Sequence, residues 1–101
     1  MASKREIEKR IALFDQIMKD VRVERILQDK QWGRQEHHPD RWARIFAEEY
    51  GEASKALLEG DLNGYREETI QAIAVLVAEI ECLDRKVGEF EVELVPDSVT
   101  K

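Results

Sequence analysis

The middle of the chain carries the segment Phe46-Ala47-Glu48-Glu49-Tyr50-Gly51-Glu52-Ala53, within a helix predicted from about Asp40 to Glu59. At about 100° per residue, Glu48, Glu49 and Glu52 fall within roughly one third of the helix circumference. The same sector carries apolar residues, namely Ile45, Ala53 and Ala56. Carboxylates that converge beside an apolar core repel one another and lose hydration, so protons or cations must compensate their charge.

A divalent metal ion is the compensating charge that this sector predicts. Arg41 lies a turn before the sector and Lys55 lies at its edge, so few basic side chains reach it. The ligands are hard carboxylate oxygens, without Cys or His at ligand spacing, and this favours Mg²⁺ or Mn²⁺. The alternative is an exposed helix surface on which the glutamates pair with Lys55 or Arg44.

Length and charge limit the classes of protein that fit. A chain of 101 residues predicts a single domain over residues 1–101, with flexible ends at residues 1–4 and 96–101. The net charge of -6 argues against a nucleic-acid polymer as partner, because phosphate backbones need a basic surface. The chain begins without an apolar run, and its single cysteine, Cys82, fits a reducing compartment. We therefore expect a cytoplasmic protein without a membrane segment.

The residues on either side of the central helix predict two further helices. Ser3 and Glu6 have the spacing of a capping box, and an apolar stripe continues to about Asp29, with β-branched residues at 21 and 23 that weaken the helix and allow a break. Residues 31–39 form a polar loop, after which Asp40 is the expected N-cap of the second helix. Gly60 is expected to end that helix, and Asn63 to cap a third helix over residues 64–87 that Gly88 stops.

The predicted third helix carries apolar residues on two nearly opposite faces. One face has Ile70, Ile73, Ala74, Val77 and Ile80, and the other has Ala72, Val75, Leu76, Cys82 and Leu83. A helix that is apolar all round is buried all round, so the second face predicts a partner subunit in a homodimer or homotetramer. Residues 89–95 alternate apolar and acidic residues, as a short strand does. The predicted fold is an all-α antiparallel bundle of three to four helices, completed by oligomerisation, with a short extended C-terminal tail.

Two acidic motifs resemble those of a known family. Glu68-x-x-Gln71 begins the third helix and can face the glutamates of the second helix across an antiparallel pair. Together with Glu48-Glu49-x-x-Glu52, it is similar to the E-E-x-x-E and E-x-x-D signature of the MazG-like superfamily of all-α nucleotide pyrophosphohydrolases. Residues 32–38, Trp-Gly-Arg-Gln-Glu-His-His, occupy the place of the segment that precedes the acidic helix in that family. The resemblance covers about Glu24 to Arg85, and the family's final aspartate is replaced by Gln71.

The resemblance implies hydrolysis of a nucleoside triphosphate, or its deoxy form, to the monophosphate and pyrophosphate. It implies that Mg²⁺ is held by Glu48, Glu49, Glu52 and Glu68, with Gln71 as an uncharged ligand. One of the three glutamates of the second helix would then be left to orient or deprotonate the attacking water.

Further residues are candidates for contacts with such a substrate. Lys30, Arg34 and Arg85 offer donors to its phosphates. Trp32 offers a stacking surface, or a packed anchor instead, and His38 offers a hydrogen bond to the base edge. The loss of the last aspartate keeps open a non-catalytic protein that binds a nucleotide or metal, and a helical interaction module is the other alternative.

Overall fold

The structure is a computed structural model that describes residues 2–98, and their side chains as far as residue 86. Three α-helices make up this part of the chain: α1 (Lys4–Trp32), α2 (Pro39–Leu58) and α3 (Leu62–Ser98). The prediction of an all-α fold is therefore confirmed. None of the described helices combines the length and the apolar character that crossing a membrane requires.

The beginning of α1 follows its predicted cap. The Ser3 hydroxyl accepts a hydrogen bond from the Glu6 amide at 3.1 Å, and the Glu6 carboxylate accepts one from the Ser3 amide at 3.1 Å. These bonds satisfy two amide groups that a helix start leaves without partners. The break that the sequence allowed near residues 21–23 does not occur, because Val21 is buried against α3 and its packing outweighs the weak helix preference.

The turns around α2 differ from the prediction by one or two residues. His38 rather than Asp40 is the N-cap, and its ring Nδ1 lies 3.4 Å from the Asp40 amide nitrogen. Pro39 takes the first helical position, where its missing N–H costs nothing. Gly60 has φ 76° and follows the end of α2, as predicted. The Asp61 carboxylate caps α3 by accepting the Gly64 amide at 2.9 Å, a role that was predicted for Asn63.

The central helix is α3, which packs against both α1 and α2. Its contact with α1 is built on Val21, Ile70 and Ala74, and that with α2 on Trp42, Val75 and Cys82. The buried residues of both apolar faces of α3 are thus covered within the chain, whereas Leu76 and Ile80 are 37 % and 57 % exposed. Val75 and Cys82 of the second face need no partner subunit for their burial, because α2 covers them. The homodimer or homotetramer remains a prediction without that argument.

The C-terminal segment is helical. Residues 89–95, predicted as a short strand or extended tail, belong to α3, and the helix continues through Gly88 to Ser98. Glutamate, at every second position of this segment, prefers helix, and a lone strand would leave its amides without partners. A single glycine weakens a helix by about 1 kcal/mol and does not have to end it. Of the predicted flexible ends, Lys4 and residues 96–98 are helical, whereas residues 1 and 99–101 lie outside the described residues.

The first half of α1 presents an uncovered apolar stripe. Its members are between 42 and 58 % exposed: Ile7, Ile11, Phe14 and Met18. The pattern predicted this stripe, but in the described part of the chain it does not reach the core, which α1 enters through Ile17 and Val21.

Candidate active site

A cleft lies among the three helices and the loop of residues 33–38. Its volume is about 430 Å³, within the range of small-molecule sites. We call it the main cleft. Acidic, basic and aromatic side chains all line it: Glu48, Glu49 and Asp29; Arg25, Arg34, Arg41 and Arg85; Trp32, His37 and Trp42. The cleft therefore offers oppositely charged groups to one ligand.

Packing of α2 against α3 brings Glu68 of the second acidic motif close to the first motif. The hydroxyls of Tyr50 and Tyr65 lie 3.4 Å apart near the turn, and Trp42 packs against Cys82 farther from it. The two helices therefore run antiparallel, as predicted. This direction places the start of α3, with Glu68, beside the middle of α2.

Four glutamates from three helices act on Glu49. Burial, followed by the negative charges of Glu68, Glu52, Glu24 and Glu48, raises the pKa of Glu49 above its ordinary value. Glu49 is half-buried, whereas Glu48 and Glu52 are exposed. We call Glu24, Glu48, Glu49, Glu52 and Glu68 the acidic group. The charge effects on Glu49 are therefore dominated by repulsion.

The acidic group fits a hard divalent cation in chemistry but is not assembled as a coordination shell. All its members offer carboxylate oxygens, the ligands that Mg²⁺ and Mn²⁺ prefer. Among the described side chains, however, no group of three or more His, Cys, Asp or Glu residues is arranged to hold one metal ion. Because Glu48 and Glu52 are exposed, their side chains can rotate towards a bound ion more easily than that of Glu49.

The basic side chains of the main cleft differ in their pairing. Arg25 donates to Glu81 at 2.6 Å and to Asp29 at 3.0 Å. Arg34 and Arg85 both donate to Glu36. Arg41 makes no ion pair with the described side chains, and its charge acts on His37, whose pKa is lowered first by burial and then by Arg41. Both effects favour the neutral form of His37.

Some of the residues predicted to contact a substrate line the main cleft, and others do not. Trp32, Arg34 and Arg85 line the main cleft, as Glu48 and Glu49 do. Lys30 is exposed in the last turn of α1 and does not line the cleft. His38 caps α2 and pairs with Asp40 at 2.6 Å, and its neighbour His37 lines the cleft instead.

Gln71 belongs to a second, smaller cleft between α1 and α3. This cleft has a volume of about 330 Å³ and is lined by Asp20, Glu24, Arg66, Glu67 and Gln71, with Val23 and Ile70. The backbone carbonyl of Gln71 accepts a hydrogen bond from the Gln28 side chain at 3.4 Å. Gln71 is thus close to Glu24 and does not line the main cleft with Glu48 and Glu49.

Sequence reasoning missed the contribution of α1. Glu24 adds a fifth carboxylate, and Arg25, Gln28 and Asp29 line the main cleft. A signal was present, because Glu24, Arg25 and Gln28 follow buried Val21 at helical spacing, on the face where α1 meets the rest of the molecule. Partly buried polar residues at positions expected to be apolar indicate a site.

The indole N–H of Trp42 is a further unusual feature. The residue is 2 % exposed, and its Nε1 has no hydrogen-bond partner among the described atoms. A buried donor without a partner costs about 1–3 kcal/mol. Trp42 also lines the main cleft, so this cost is located at the candidate site.

Comparison of the chain with protein-family models, with curated proteins and with solved structures gave no match.

Proposed function

We propose that the protein is a nucleoside triphosphate pyrophosphohydrolase that depends on Mg²⁺ or Mn²⁺ and releases a (deoxy)nucleoside monophosphate and pyrophosphate. The observation that carries the proposal is the main cleft, which combines Glu48 and Glu49 of the acidic group with four guanidinium groups and with aromatic rings. The resemblance of the two acidic motifs to the MazG-like signature supplies the reaction. A cytoplasmic location is part of the same proposal.

In this proposal the acidic group holds the metal ion. Glu48, Glu49, Glu52 and Glu68 would provide its charged ligands, and a bound ion would neutralise the triphosphate and stabilise the charge that develops on the transferred group. One carboxylate remains to orient or deprotonate the water. Glu24 is an additional candidate, because its charge acts on Glu49 and it lies beside Gln71 in the second cleft. It supplies a negative charge near the position where the family has its last aspartate.

The other side chains of the main cleft have separate roles. Arg34 and Arg85 would bind phosphate oxygens, and Arg41 is a third donor without an ion pair among described side chains. Trp32 is 63 % exposed and lines the cleft, so a base can stack on it without displacing core residues. His37, in the neutral form that its surroundings favour, can donate or accept one hydrogen bond at the base edge.

The test is an assay of the purified protein with each nucleoside and deoxynucleoside triphosphate in Mg²⁺ or Mn²⁺, with chromatographic detection of monophosphate and pyrophosphate. Turnover should fall by about 100-fold or more in Glu49→Gln, the range expected when one group that stabilises the transition state is lost. Glu8→Gln, which removes the same charge from an exposed position near the start of α1, should keep the wild-type rate. Absence of turnover in folded wild-type protein would refute the proposal.

A non-catalytic protein that binds nucleotide in the same cleft is the second candidate. Two observations favour it: Gln71 is uncharged, and the described carboxylates do not form a ready coordination shell. Under this alternative a nucleoside triphosphate raises the melting temperature without being consumed. Gln71→Asp distinguishes a weakened enzyme from a binding protein, because gain of turnover in this variant would assign the chain to the enzymes.

A further inference from the structure

Trp42 combines an apolar environment with a polar group that has no partner. The indole packs against Val75 and Cys82 of α3, and the side chains of Ile45 and Ala78 pack against the same cluster. Its Nε1 is buried and has no hydrogen-bond partner among the described atoms. A phenylalanine would fill an apolar position of this kind without burying an N–H group, and buried tryptophans usually find a partner for theirs. Packing alone therefore does not explain a tryptophan at this position.

The carbonyl oxygens that precede Trp42 in the chain accept hydrogen bonds from other donors. The His38 carbonyl accepts the backbone amides of Arg41 and Trp42, at 3.0 and 3.2 Å. The His37 carbonyl accepts the Cys82 thiol, with 3.6 Å between oxygen and sulfur. The His37 ring lies edge-on against the indole, with 4.9 Å between the ring centroids and 66° between their planes, and it makes no hydrogen bond to Nε1. We therefore expect a bound molecule to supply the acceptor for the indole N–H.

Trp42 belongs to an apolar part of the main cleft. Ile45, Val75 and Ala78 line the cleft beside it. Glu49 of the acidic group lies seven residues farther along α2, a distance of about 10 Å at 1.5 Å per residue. A nucleotide whose phosphates reach the acidic group through a metal ion therefore places its base on these apolar side chains. A flat ring with an acceptor at its edge complements apolar walls that contain one buried donor.

We propose that the Trp42 indole N–H donates a hydrogen bond to an exocyclic carbonyl oxygen of the base, O4 of a pyrimidine or O6 of a purine, and that the site thereby selects keto bases over amino bases. These oxygens lie on the edge of the base that points away from the sugar, and hence away from phosphates held near the acidic group. The inference rests on the proposed function for the identity of the ligand as a nucleotide, but it requires no hydrolysis.

A movement of the His37 ring gives the base access to the indole N–H. The ring packs on Trp42 and lines the main cleft. His37 belongs to the loop of residues 33–38 and is only partly buried, so its ring can rotate without a change in α2 or α3. The base then covers the indole in place of the imidazole and adds the hydrogen bond that the imidazole does not make.

Selection against amino bases follows from the chemistry of the donor. Cytosine and adenine carry an amino group where uracil and hypoxanthine carry the carbonyl oxygen. The amino group would point a second donor at the indole N–H, and both donors would lack an acceptor in a buried site. A buried polar group that is left unpaired discriminates more strongly than one additional apolar contact does.

The experiment is a calorimetric titration at constant Mg²⁺ with α,β-methylene analogues of nucleoside triphosphates, in which carbon replaces the oxygen of the bond that the proposed reaction breaks. The uridine and cytidine analogues form one matched pair, and the inosine and adenosine analogues form the other. In the pair that binds more tightly, the wild type should prefer the keto member by about tenfold, or about 1.4 kcal/mol. In Trp42→Phe the two members should bind within about twofold of each other, because the keto member loses its hydrogen bond.

Trp32→Phe is the matched control. Trp32 is 63 % exposed and lines the main cleft, so this variant shortens a stacking surface without removing the proposed donor. It should weaken both members of a pair by the same factor and keep the tenfold preference. Far-ultraviolet circular dichroism checks that each variant is folded.

A magnetic-resonance measurement on the wild type tests the hydrogen bond without changing Trp42. The chain has two tryptophans, so its proton–nitrogen spectrum contains two indole signals, and Trp32→Phe identifies them by removing one. The Trp42 indole proton should move downfield in the keto complex and not in the amino complex, since hydrogen bonding deshields the proton.

Three results would overturn the inference. The first is equal binding of the keto and amino members by the wild type. The second is a keto preference that folded Trp42→Phe retains, which would assign recognition of the base to another group and leave Trp42 a packing role. The third is a Trp42 indole proton that does not move downfield in the saturated keto complex.

The same measurements separate this inference from the proposed function. A keto preference that depends on Trp42, in a protein that hydrolyses no triphosphate, supports the inference and refutes the enzyme. Turnover without a keto preference supports the enzyme and refutes the inference. A wild type that binds none of the four analogues contradicts both.

Discussion

Replacing Glu49 with Gln should raise stability in the absence of Mg²⁺ and reduce the stabilisation that Mg²⁺ provides. Glu49 is half-buried, and burial and four negative neighbours raise its pKa in the folded protein. A raised pKa means that the folded state favours the protonated form. The resulting stability is present below the ordinary pKa of 4.5 and is lost as pH rises through the higher value. At pH 7 without metal, Glu49→Gln should therefore melt above the wild type.

Mg²⁺ should stabilise the wild type more than Glu49→Gln. An ion at 100 times its Kd stabilises the folded state by about 2.7 kcal/mol. For a chain of 101 residues, each kcal/mol shifts Tm by about 5 °C, so saturation should raise the wild-type Tm by about 13 °C. If the substitution weakens the ion tenfold, the same concentration contributes about 1.4 kcal/mol, or about 7 °C.

Circular dichroism melts at pH 7 and constant ionic strength would measure these shifts, with magnesium chloride replaced by sodium chloride in the metal-free samples. Glu8→Gln should show the full wild-type rise, because Glu8 is exposed near the start of α1. Equal Mg²⁺-dependent rises in the wild type and Glu49→Gln would remove Glu49 from the metal site. A lower metal-free Tm in Glu49→Gln would contradict the repulsion itself.

Three further predictions test the packing, the loop and the surface. Val21→Ala should lower the free energy of unfolding by about 2 kcal/mol in urea, since it empties a site that is 2 % exposed; Val23→Ala, at 49 % exposure, should stay within about 0.5 kcal/mol of wild type. Because Lys86, Arg34 and Arg85 hold the pKa of Glu36 near 2 rather than 4.5, its stabilising effect should be present above pH 4.5 and disappear towards pH 2. Urea unfolding of wild type and Glu36→Gln should then converge at acid pH. Because Phe14 belongs to the exposed apolar stripe of α1, sedimentation should detect self-association of the wild type that Phe14→Glu abolishes. A wild type that stays monomeric at all concentrations would contradict this prediction.

The parts of the fold that depend on neighbouring residues could be predicted from the sequence. The capping box of Ser3 and Glu6 and the stop at Gly60 involve residues within one helical turn, so their pattern is sufficient. The errors at the other caps are also local. The sequence predicts Asp40 and Asn63 as caps, whereas His38 and Asp61 take these positions. Several adjacent side chains can accept the same amides, and the choice depends on the path of the loop.

The parts that depend on distant contacts could not be derived in this way. The pattern of α3 correctly indicates two buried faces, but a pattern does not say which element covers a face. A partner subunit was inferred where α2 supplies Trp42 against Val75 and Cys82. Alternation in residues 89–95 similarly predicts a strand, although a strand needs a neighbouring strand and residues 2–98 contain none.

The candidate site likewise contains residues that local spacing predicts and one that depends on a distant contact. Glu48, Glu49 and Glu52 share a helix face, and a short turn is enough to bring Glu68 beside them, so spacing alone assembles four members of the acidic group. Glu24 comes from α1, whose docking on α3 is set by Val21 and by residues about fifty positions away. Spacing carries no information about such a contact, so the fifth carboxylate was not predicted.

The opposite charges of the main cleft restrict its ligand more strongly than either charge alone. A free polyanion would bind Arg34 and Arg85 but would be repelled by Glu48 and Glu49, which line the same space. A free cation would bind Glu48 and Glu49 but would be repelled by Arg34 and Arg85. A polyphosphate that carries a divalent cation presents both signs at once, so each half of the ligand reduces the cost of binding the other. The two halves of the cleft therefore argue for one composite ligand, and predict that metal and polyphosphate each raise the affinity for the other by the same factor.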